Sequence, residues 1–428
     1  MFNFLGKKIA ENAIMKSVII SIGNELLNGK TLNSNATYIG GALYETGIPA
    51  HKIIAIGDNV EEITRSLNQA MQESDVIVIT GGLGPTNDDI TKKAVAEFFN
   101  SALVFNETIM HKIEERFKKR GMKMPEVNRN QALVPNNAEL LDNPVGTAAG
   151  LLFKQDGRFV FVLPGIPQEM RAIMLRSVIP FLKENCEVKN IRAHSYRTTG
   201  IPESKIYEMC KDLFDKYPGL EIAFLPKYTG VEIGIAVGGN YSVKDYDLFE
   251  NELYRRIGKY IYTEMQQELE EVVGDLLKRD RFTIAVAESC TGGLIQDKLT
   301  NVPGSSGYFM GGITAYSNKS KVKNLGVKES TLEQFGAVSN EVAREMATGI
   351  KLAFQTDFGL STTGIAGPAG ATETKPVGLV FIALAAPGKV ISKKFVFGNN
   401  RRLNKEAGAQ AALEMLRREL LNLPTGAS

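Results

Sequence analysis

The chain has 428 residues with 50 Lys+Arg against 48 Asp+Glu, a net charge of +2. It is too long for one ordinary core and too balanced for nucleic acid or an anionic membrane to be its main partner. Three cysteines (Cys186, Cys210, Cys290) exclude a disulfide framework, and three scattered histidines (His51, His111, His194) leave little material for a zinc site or a Ser-His-Asp triad. With no signal segment and no run that spans a bilayer, the expected setting is cytoplasmic. Met15 stands just before the first strand-like run, which marks residues 1–14 as an extension.

Ser17 to Ile22 reads as a buried strand leaving through Gly23-Asn24-Glu25 to Gly29. Asn33 or Ser34 caps a helix carrying Ile39 and Leu43. His51–Ile56 is a second strand, Val60–Met71 a helix and Asp75–Thr80 a third strand. Alternating β and α units of this length predict a parallel, doubly wound sheet. The third strand opens into Gly81-Gly82-Leu83-Gly84-Pro85-Thr86-Asn87-Asp88-Asp89 and a helix from Ile90 to Phe99. Such a loop lets backbone approach phosphate at a strand end, although it is neither a Walker A motif nor a dinucleotide fingerprint. Asp88 and Asp89 suit a divalent cation held with substrate phosphates, and equally suit the first turn of a helix. Gly146-Thr147 with Gly150, and Leu163-Pro-Gly-Ile-Pro167, repeat the device, so one shared anionic pocket is expected. Pro167 opens a helix to Lys183.

From Ile191 the order strand, helix, strand, strand, helix, strand describes a small α+β, split βαβ module ending at Thr263. It carries no glycine loop and reads as a spacer or packing module. Met265 to Leu277 opens the last domain as an amphipathic helix. Thr283–Ala287 is then a short buried strand that breaks into Glu288-Ser289-Cys290-Thr291-Gly292-Gly293 and the helix-compatible Leu294–Leu299. A hydroxyl at the mouth of a helix is a candidate nucleophile beside backbone N–H groups, or simply an N-cap. Tyr308–Tyr316 is a strand, Ser317 to Lys321 heads a short helix, and Ser330 with Glu333 predicts a capping box. A longer helix carries Val342, Met346, Ile350 and Phe354. Asp357–Thr363 is a strand emptying into Gly364 to Gly370, and two more strands precede a C-terminal helix. Ser289 needs a base, and no histidine lies in this domain. Lysine is the remaining candidate, and Lys321 sits at the same kind of junction as Ser289.

Several motifs together resemble the CinA family of competence/damage-inducible proteins. They are Ala287 to Gly293, Tyr316-Ser-Asn318 with Lys321, Gly336-Ala-Val-Ser339, Gly364 to Pro368 and Lys375-Pro-Val-Gly378. Upstream they are Gly23 to Gly29, Thr80 to Thr86 with Asp88-Asp89, Gly146 to Gly150 and Leu163 to Pro167. The resemblance implies an α/β chain with a doubly wound molybdopterin-binding-like nucleotide hydrolase domain over 15–185. It implies a KH-like middle module over 186–263 and an α/β nicotinamide-mononucleotide deamidase (amidase) domain over 264–428.

The implied reaction converts nicotinamide mononucleotide to nicotinic acid mononucleotide and ammonia. Ser289 would be the nucleophile, Lys321 its base and Tyr316 an auxiliary hydroxyl. Glu288, Thr291, Gly292, Gly293, Ser306, Thr363, Gly364 and Arg401 would line the substrate site, Arg401 being preferred over Arg402. In the N-terminal domain, Asn24, Glu25, Gly81, Gly82, Gly84, Thr86, Gly146 and Thr147 would form a nucleotide site, with Asp88 and Asp89 on a divalent metal for ADP-ribose pyrophosphate hydrolysis. The alternative is a non-catalytic pterin- or nucleotide-binding domain. The resemblance further implies a homodimer. The middle module lacks a Gly-x-x-Gly clamp, so RNA is not expected there.

Overall fold

The computed structural model describes residues 15–86, 89–186, 192–237, 241–265 and 267–424. Residues 1–14, Asn87 and Asp88 therefore lie outside the described residues.

The N-terminal domain begins β1 (Ser17–Ile22), α1 (Asn24–Leu27), α2 (Ser34–Glu45), β2 (Ala50–Ile56), α3 (Val60–Glu73) and β3 (Val76–Thr80). After the glycine loop come α4 (Thr91–Phe98), β4 (Leu103–Phe105), α5 (Glu107–Lys119), β5 (Leu133–Pro135) and β6 (Glu139–Leu141). The domain closes with β7 (Gly150–Gln155), β8 (Arg158–Leu163), α6 (Pro167–Ile173) and α7 (Ile179–Asn185). A single π turn, Met174–Val178, joins α6 to α7, so the helix opened by Pro167 runs on to Asn185.

The main sheet has the order β2-β1-β3-β8-β7-β6. Its first four strands are parallel, whereas β7 pairs antiparallel with β8 and β6 antiparallel with β7, which the sequence pattern did not signal. Both faces are covered. Val18, Ile20, Ile77 and Ile79 pack with α3, α4 and α5, while Ile19, Val76 and Val78 pack with α2, α6 and α7. That alternation explains why β1 and β3 are apolar at nearly every position. Asn33, rather than Ser34, caps α2 by accepting from the Ala36 N–H.

The middle module contains β9 (Arg192–Thr198), α8 (Glu203–Lys216), β10 (Leu220–Lys227), β11 (Gly230–Val237), α9 (Val243–Ile257) and β12 (Ile261–Thr263). Its sheet order is β10-β11-β9-β12, with both helices closing one core around Tyr196, Ile233, Phe249 and Leu253.

The C-terminal domain starts with α10 (Leu269–Asp280), β13 (Ile284–Glu288), α11 (Leu294–Thr300) and β14 (Phe309–Thr314). It continues through α12 (Asn318–Leu325), α13 (Glu329–Phe335), α14 (Asn340–Phe354), β15 (Phe358–Gly364), β16 (Leu379–Ala386), β17 (Lys389–Val396) and α15 (Arg401–Leu420). The sheet order is β14-β13-β15-β16-β17. Ile284 and Val286 face α10, α11 and α15, whereas Ala285 and Ala287 face α12 and α14. The capping box expected at Ser330 and Glu333 does not form. Helix α13 begins two residues earlier, Lys328 stands at its cap, and Glu345 from α14 accepts the Lys328 N–H at 2.9 Å. The capping box of this domain is Glu268 with Glu271 on α10.

The N-terminal domain is one compact unit, and the middle module forms a second unit together with the C-terminal domain. Arg197 joins the latter two by donating to Glu268 Oε1 and the Gln267 carbonyl, both at 2.9 Å. Arg417 does so by donating to the Lys259 carbonyl at 2.8 Å. No described helix is long and apolar enough to cross a membrane.

Candidate active site

Strand β13 pairs in parallel with β14 on one side and β15 on the other. Its C-terminal end is therefore the point where the chain order reverses, the place where open α/β sheets leave a crevice. Ser289 is the first residue past that end. Its N–H donates to the Thr362 carbonyl at 3.0 Å, which fixes the turn to β15.

Lys321 arrives from the first turn of α12, whose N-cap Ser317 accepts from the Ser320 N–H. The side chain is 2% exposed, and its Nζ lies 3.0 Å from Ser289 Oγ and 2.8 Å from the Ala315 carbonyl oxygen. Burial lowers the Lys321 pKa from the ordinary lysine value. A neutral amine there accepts a proton, and Ser289 carries the only hydroxyl it touches among the described residues. Cys290 is the rival nucleophile by chemistry, but burial pushes its thiol up to about 12. The thiol is therefore protonated at neutral pH.

The oxyanion expectation needs revision. Glu288 is fully buried and accepts from the Gly293 N–H (2.9 Å) and the Gln296 N–H (3.0 Å). It holds the start of α11 rather than meeting substrate. The Gly293 and Gln296 N–H groups are therefore not available to a developing oxyanion. Thr291 is likewise internal, its hydroxyl 2.7 Å from that of Thr362. Thr363 donates to the Ala337 carbonyl at 2.7 Å, so its hydroxyl is engaged. Gly364 allows β16 to approach, since a Cβ there would meet the Leu379 carbonyl at 2.5 Å.

Ser306 is not brought to Ser289 within one chain. It lies in the turn before β14, and the Ile284–Phe309 register puts that turn at the opposite end of β13. The separation is about one five-residue strand, roughly 16 Å. Tyr316 is exposed, and its hydroxyl accepts from Arg401 Nη2 at 2.9 Å rather than contacting Ser289 or Lys321. Arg401 Nη1 donates to the Gly367 carbonyl at 2.9 Å, which selects Arg401 over Arg402 as the residue bridging these loops.

Two residues absent from the sequence reading belong here. Thr362 holds both Ser289 and Thr291, and its only sequence signal is its place in a buried strand. Lys405 stands one helical turn after Arg401, and a Cβ on Gly292 would lie 3.3 Å from its Nζ. Arg401, Arg402 and Lys405 line a cavity of 660 Å³ with Leu294, Pro368, Asn399 and Asn400. The (i, i+4) spacing of two cations at a helix start was the available clue.

In the N-terminal domain the glycine loops gather at the carboxyl edge of the sheet. A Cβ on Gly81 would strike the Ile22 carbonyl at 2.1 Å, and one on Gly165 would lie 3.4 Å from Gly81 Cα. Asn35 ties the edge together by donating to Thr80 Oγ1 (3.1 Å) and the Gly165 carbonyl (2.8 Å). Its buried Oδ1 has no partner among the described residues, nor has Thr91 Oγ1, which packs on Gly82. Both atoms were missed in the sequence reading. Asn24 pairs with Asp58, and the Glu25 carboxylate folds over Gly23. Gly146 and Thr147 share the same edge but sit beside β7, two strands from β3. There they line a 560 Å³ cavity with Lys112, Arg116 and Lys119, and a Cβ on Gly146 would strike the Glu169 carboxylate in the first turn of α6, next to the Leu163–Pro167 loop.

The metal expectation fares differently. Asp89 Oδ2 accepts from the Thr86 N–H (2.8 Å) and hydroxyl (2.6 Å), closing the loop on itself above Gly84. Lys92, which burial pulls down to about 8, stands close enough for the Asp89 charge to act on it. Among the described residues no cluster of three His, Cys, Asp or Glu side chains fits a metal ion. The expected pair was Asp88 with Asp89, and Asp88 lies outside the described residues.

Fold and site define a three-part α/β protein whose last domain carries a serine–lysine pair at a strand-to-helix turn. Residues 18–184 match the family model of a probable molybdopterin binding domain, 193–263 the damage-inducible protein CinA KH domain, and 266–420 the CinA C-terminal domain. A CinA-like protein of Chloroherpeton thalassium is 43% identical, covering 95% of this chain and all of that protein. One of Kosmotoga olearia is 42% identical, covering 96% and 100%. The solved competence/damage inducible protein of Agrobacterium tumefaciens is 37% identical over 37% of this chain and 99% of its own, with a TM-score of 0.35. The chain belongs to the CinA family.

Proposed function

We propose that the C-terminal domain hydrolyses the carboxamide of nicotinamide mononucleotide to nicotinic acid mononucleotide and ammonia. The observation that carries this reading is the buried Ser289–Lys321 contact of 3.0 Å. Neutral Lys321 accepts the Ser289 proton as Oγ bonds to the amide carbon. The tetrahedral oxyanion then forms beside the Cys290–Gly292 turn. As the C–N bond breaks, Lys321 returns that proton to the leaving nitrogen, which departs as ammonia. Water attacks the resulting ester with Lys321 again taking a proton, and the carboxylate leaves as Ser289 is restored. Arg401, Arg402 and Lys405 supply charge for a substrate phosphate next to Gly292. Ammonia release from nicotinamide mononucleotide by the purified chain tests the reading, with nicotinamide riboside as the phosphate-free control. No release from either compound would overturn it.

The part we assign to the N-terminal domain is binding of the ADP-ribose pyrophosphate on the glycine loops of β3 and β8. Metal-dependent cleavage there rests on family resemblance and needs Asp88. The second reading, binding without turnover, is favoured by the engagement of Asp89 with Thr86. Incubation with ADP-ribose and added Mg²⁺ or Mn²⁺ separates the two: AMP and ribose 5-phosphate mean hydrolysis, and retained intact ADP-ribose means binding alone. A homodimer is part of the proposal, tested by sedimentation. So is a reducing, cytoplasmic setting, supported by three free cysteines.

A further inference from the structure

Within the second unit a cavity of 1220 Å³ lies between the middle module and the C-terminal domain. Its walls are β17, one face of α15, the Thr199–Glu203 turn, the tip of the β10–β11 hairpin, and Lys259 with Tyr260. It shares no residue with the Ser289 site or with the cavity at Arg401. We infer that it binds a small phosphate ester bearing a planar ring, a nucleotide in its chemistry.

Charge is the first ground. Five cations line the cavity (Lys227, Lys259, Lys393, Lys394 and Arg418) against two carboxylates, Glu203 and Glu414. The deep carboxylate is already committed. Glu414, 6% exposed, accepts from Arg418 Nε at 2.6 Å and from Arg417 Nε at 2.7 Å, so two buried guanidinium groups share one anion. Lys393 faces the same wall, and its pKa is lowered by burial and by the Arg418 charge. Lys227, Lys259 and Lys394 are exposed, and Lys227 pairs with Glu232 at 2.9 Å, so the buried excess of positive charge is that of Arg417 and Arg418 over Glu414, which is costly in a poorly solvated place. A phosphate supplies one to two negative charges and several acceptor oxygens.

Shape and rings are the second ground. Lys393 and Phe395 share one face of the edge strand β17, and Phe397 follows directly after its end. The two phenylalanine rings lie parallel, 5.7 Å apart with 7° between planes. Tyr228 and Tyr260 stand on the module side. Opposite β17, Gln410, Glu414 and Arg418 form a row at four-residue spacing, while Ala407 and Ala411 leave the space open. Aromatic faces beside cations are what stacked bases use. At 1220 Å³ the cavity is larger than the roughly 300–1,000 Å³ of typical small-molecule pockets and leaves room for a ligand of nucleotide size. With a net charge of +2 the chain has no large overall positive charge to favour a polynucleotide.

The chain has no tryptophan, so Tyr228→Trp places a single indole on the cavity wall as a local reporter. Titration with ADP should shift its emission saturably, and inorganic pyrophosphate, lacking the ring, should compete more weakly. Adding Lys393→Met should weaken ADP binding about tenfold, the loss of one charged contact. The wild-type chain gives an independent readout: ADP should protect Lys393 and Lys259 from acetylation, read by mass spectrometry. No response and no protection would overturn the proposal. An ADP response unchanged by Lys393→Met would place the ligand elsewhere and overturn it too. A ten-nucleotide uridine strand binding tenfold tighter than ADP would replace it with a nucleic-acid site. Because the readout is binding at this cavity, it stands or falls apart from the deamidase reading.

Discussion

Lys321 Nζ sits 3.0 Å from Ser289 Oγ and 2.8 Å from the Ala315 carbonyl, in a pocket that leaves the lysine 2% exposed. The two residues come from different strand-to-helix junctions, 32 positions apart. Ser289→Ala should abolish deamidation with the fold unchanged, by orders of magnitude in kcat. Cys290→Ala should keep most activity, because its buried thiol is held protonated. The reverse pattern in an ammonia-release assay would move the role to the cysteine.

The lysine is expected to act through its neutral form. Lys321→Arg should be as inactive as Lys321→Ala, since a guanidinium keeps its proton. Activity should rise with pH through the lowered Lys321 pKa. For stability the sign is fixed: between that value and the ordinary lysine pKa, the unfolded chain binds the extra proton. Stability should therefore rise with pH across this window in wild type, compared with Lys321→Met. Parallel pH profiles of the two melting temperatures would contradict a depressed lysine.

Glu288 is predicted to position the turn rather than touch substrate. In Glu288→Gln the amide offers one acceptor, leaving either the Gly293 or the Gln296 N–H unpaired. The cost should be about 1–3 kcal/mol in denaturant unfolding, with kcat falling more than KM rises. An unchanged midpoint would mean the turn is held by Thr362 alone.

Lys405 gives a substrate-level test. Lys405→Met should raise KM for nicotinamide mononucleotide about tenfold while leaving turnover of nicotinamide riboside as it was. Equal effects on both compounds would mean that Lys405 supports the Gly292 turn and not a phosphate.

For the N-terminal domain, Asp89→Asn should loosen the Thr86–Asp89 loop closure. If the domain only binds, ADP-ribose affinity should change little. Loss of metal-dependent cleavage without loss of binding would return Asp89 to a metal.

The parallel αβ order, the buried strands β1, β3 and β13, and the Ser289 hydroxyl at a strand end were readable from the sequence pattern; Lys321 came from the family resemblance. Each pattern depends on local rules: an all-apolar strand covered on both faces and a glycine turn at its end. What needed the tertiary structure was anything set by partners distant in the chain. Glu288 looks like a site residue until its carboxylate is seen tying Gly293 and Gln296. Ser306 was expected to line the substrate site with Ser289, yet the parallel register of β13 and β14 sends it to the other end of the sheet. Arg401 was preferred from the sequence, but its bridge to Gly367 and Tyr316, 34 and 85 positions away, is a tertiary contact. Thr362 and the cavity behind α15 carry no local signal, because long-range packing alone decides which buried hydroxyl or lysine faces which neighbour.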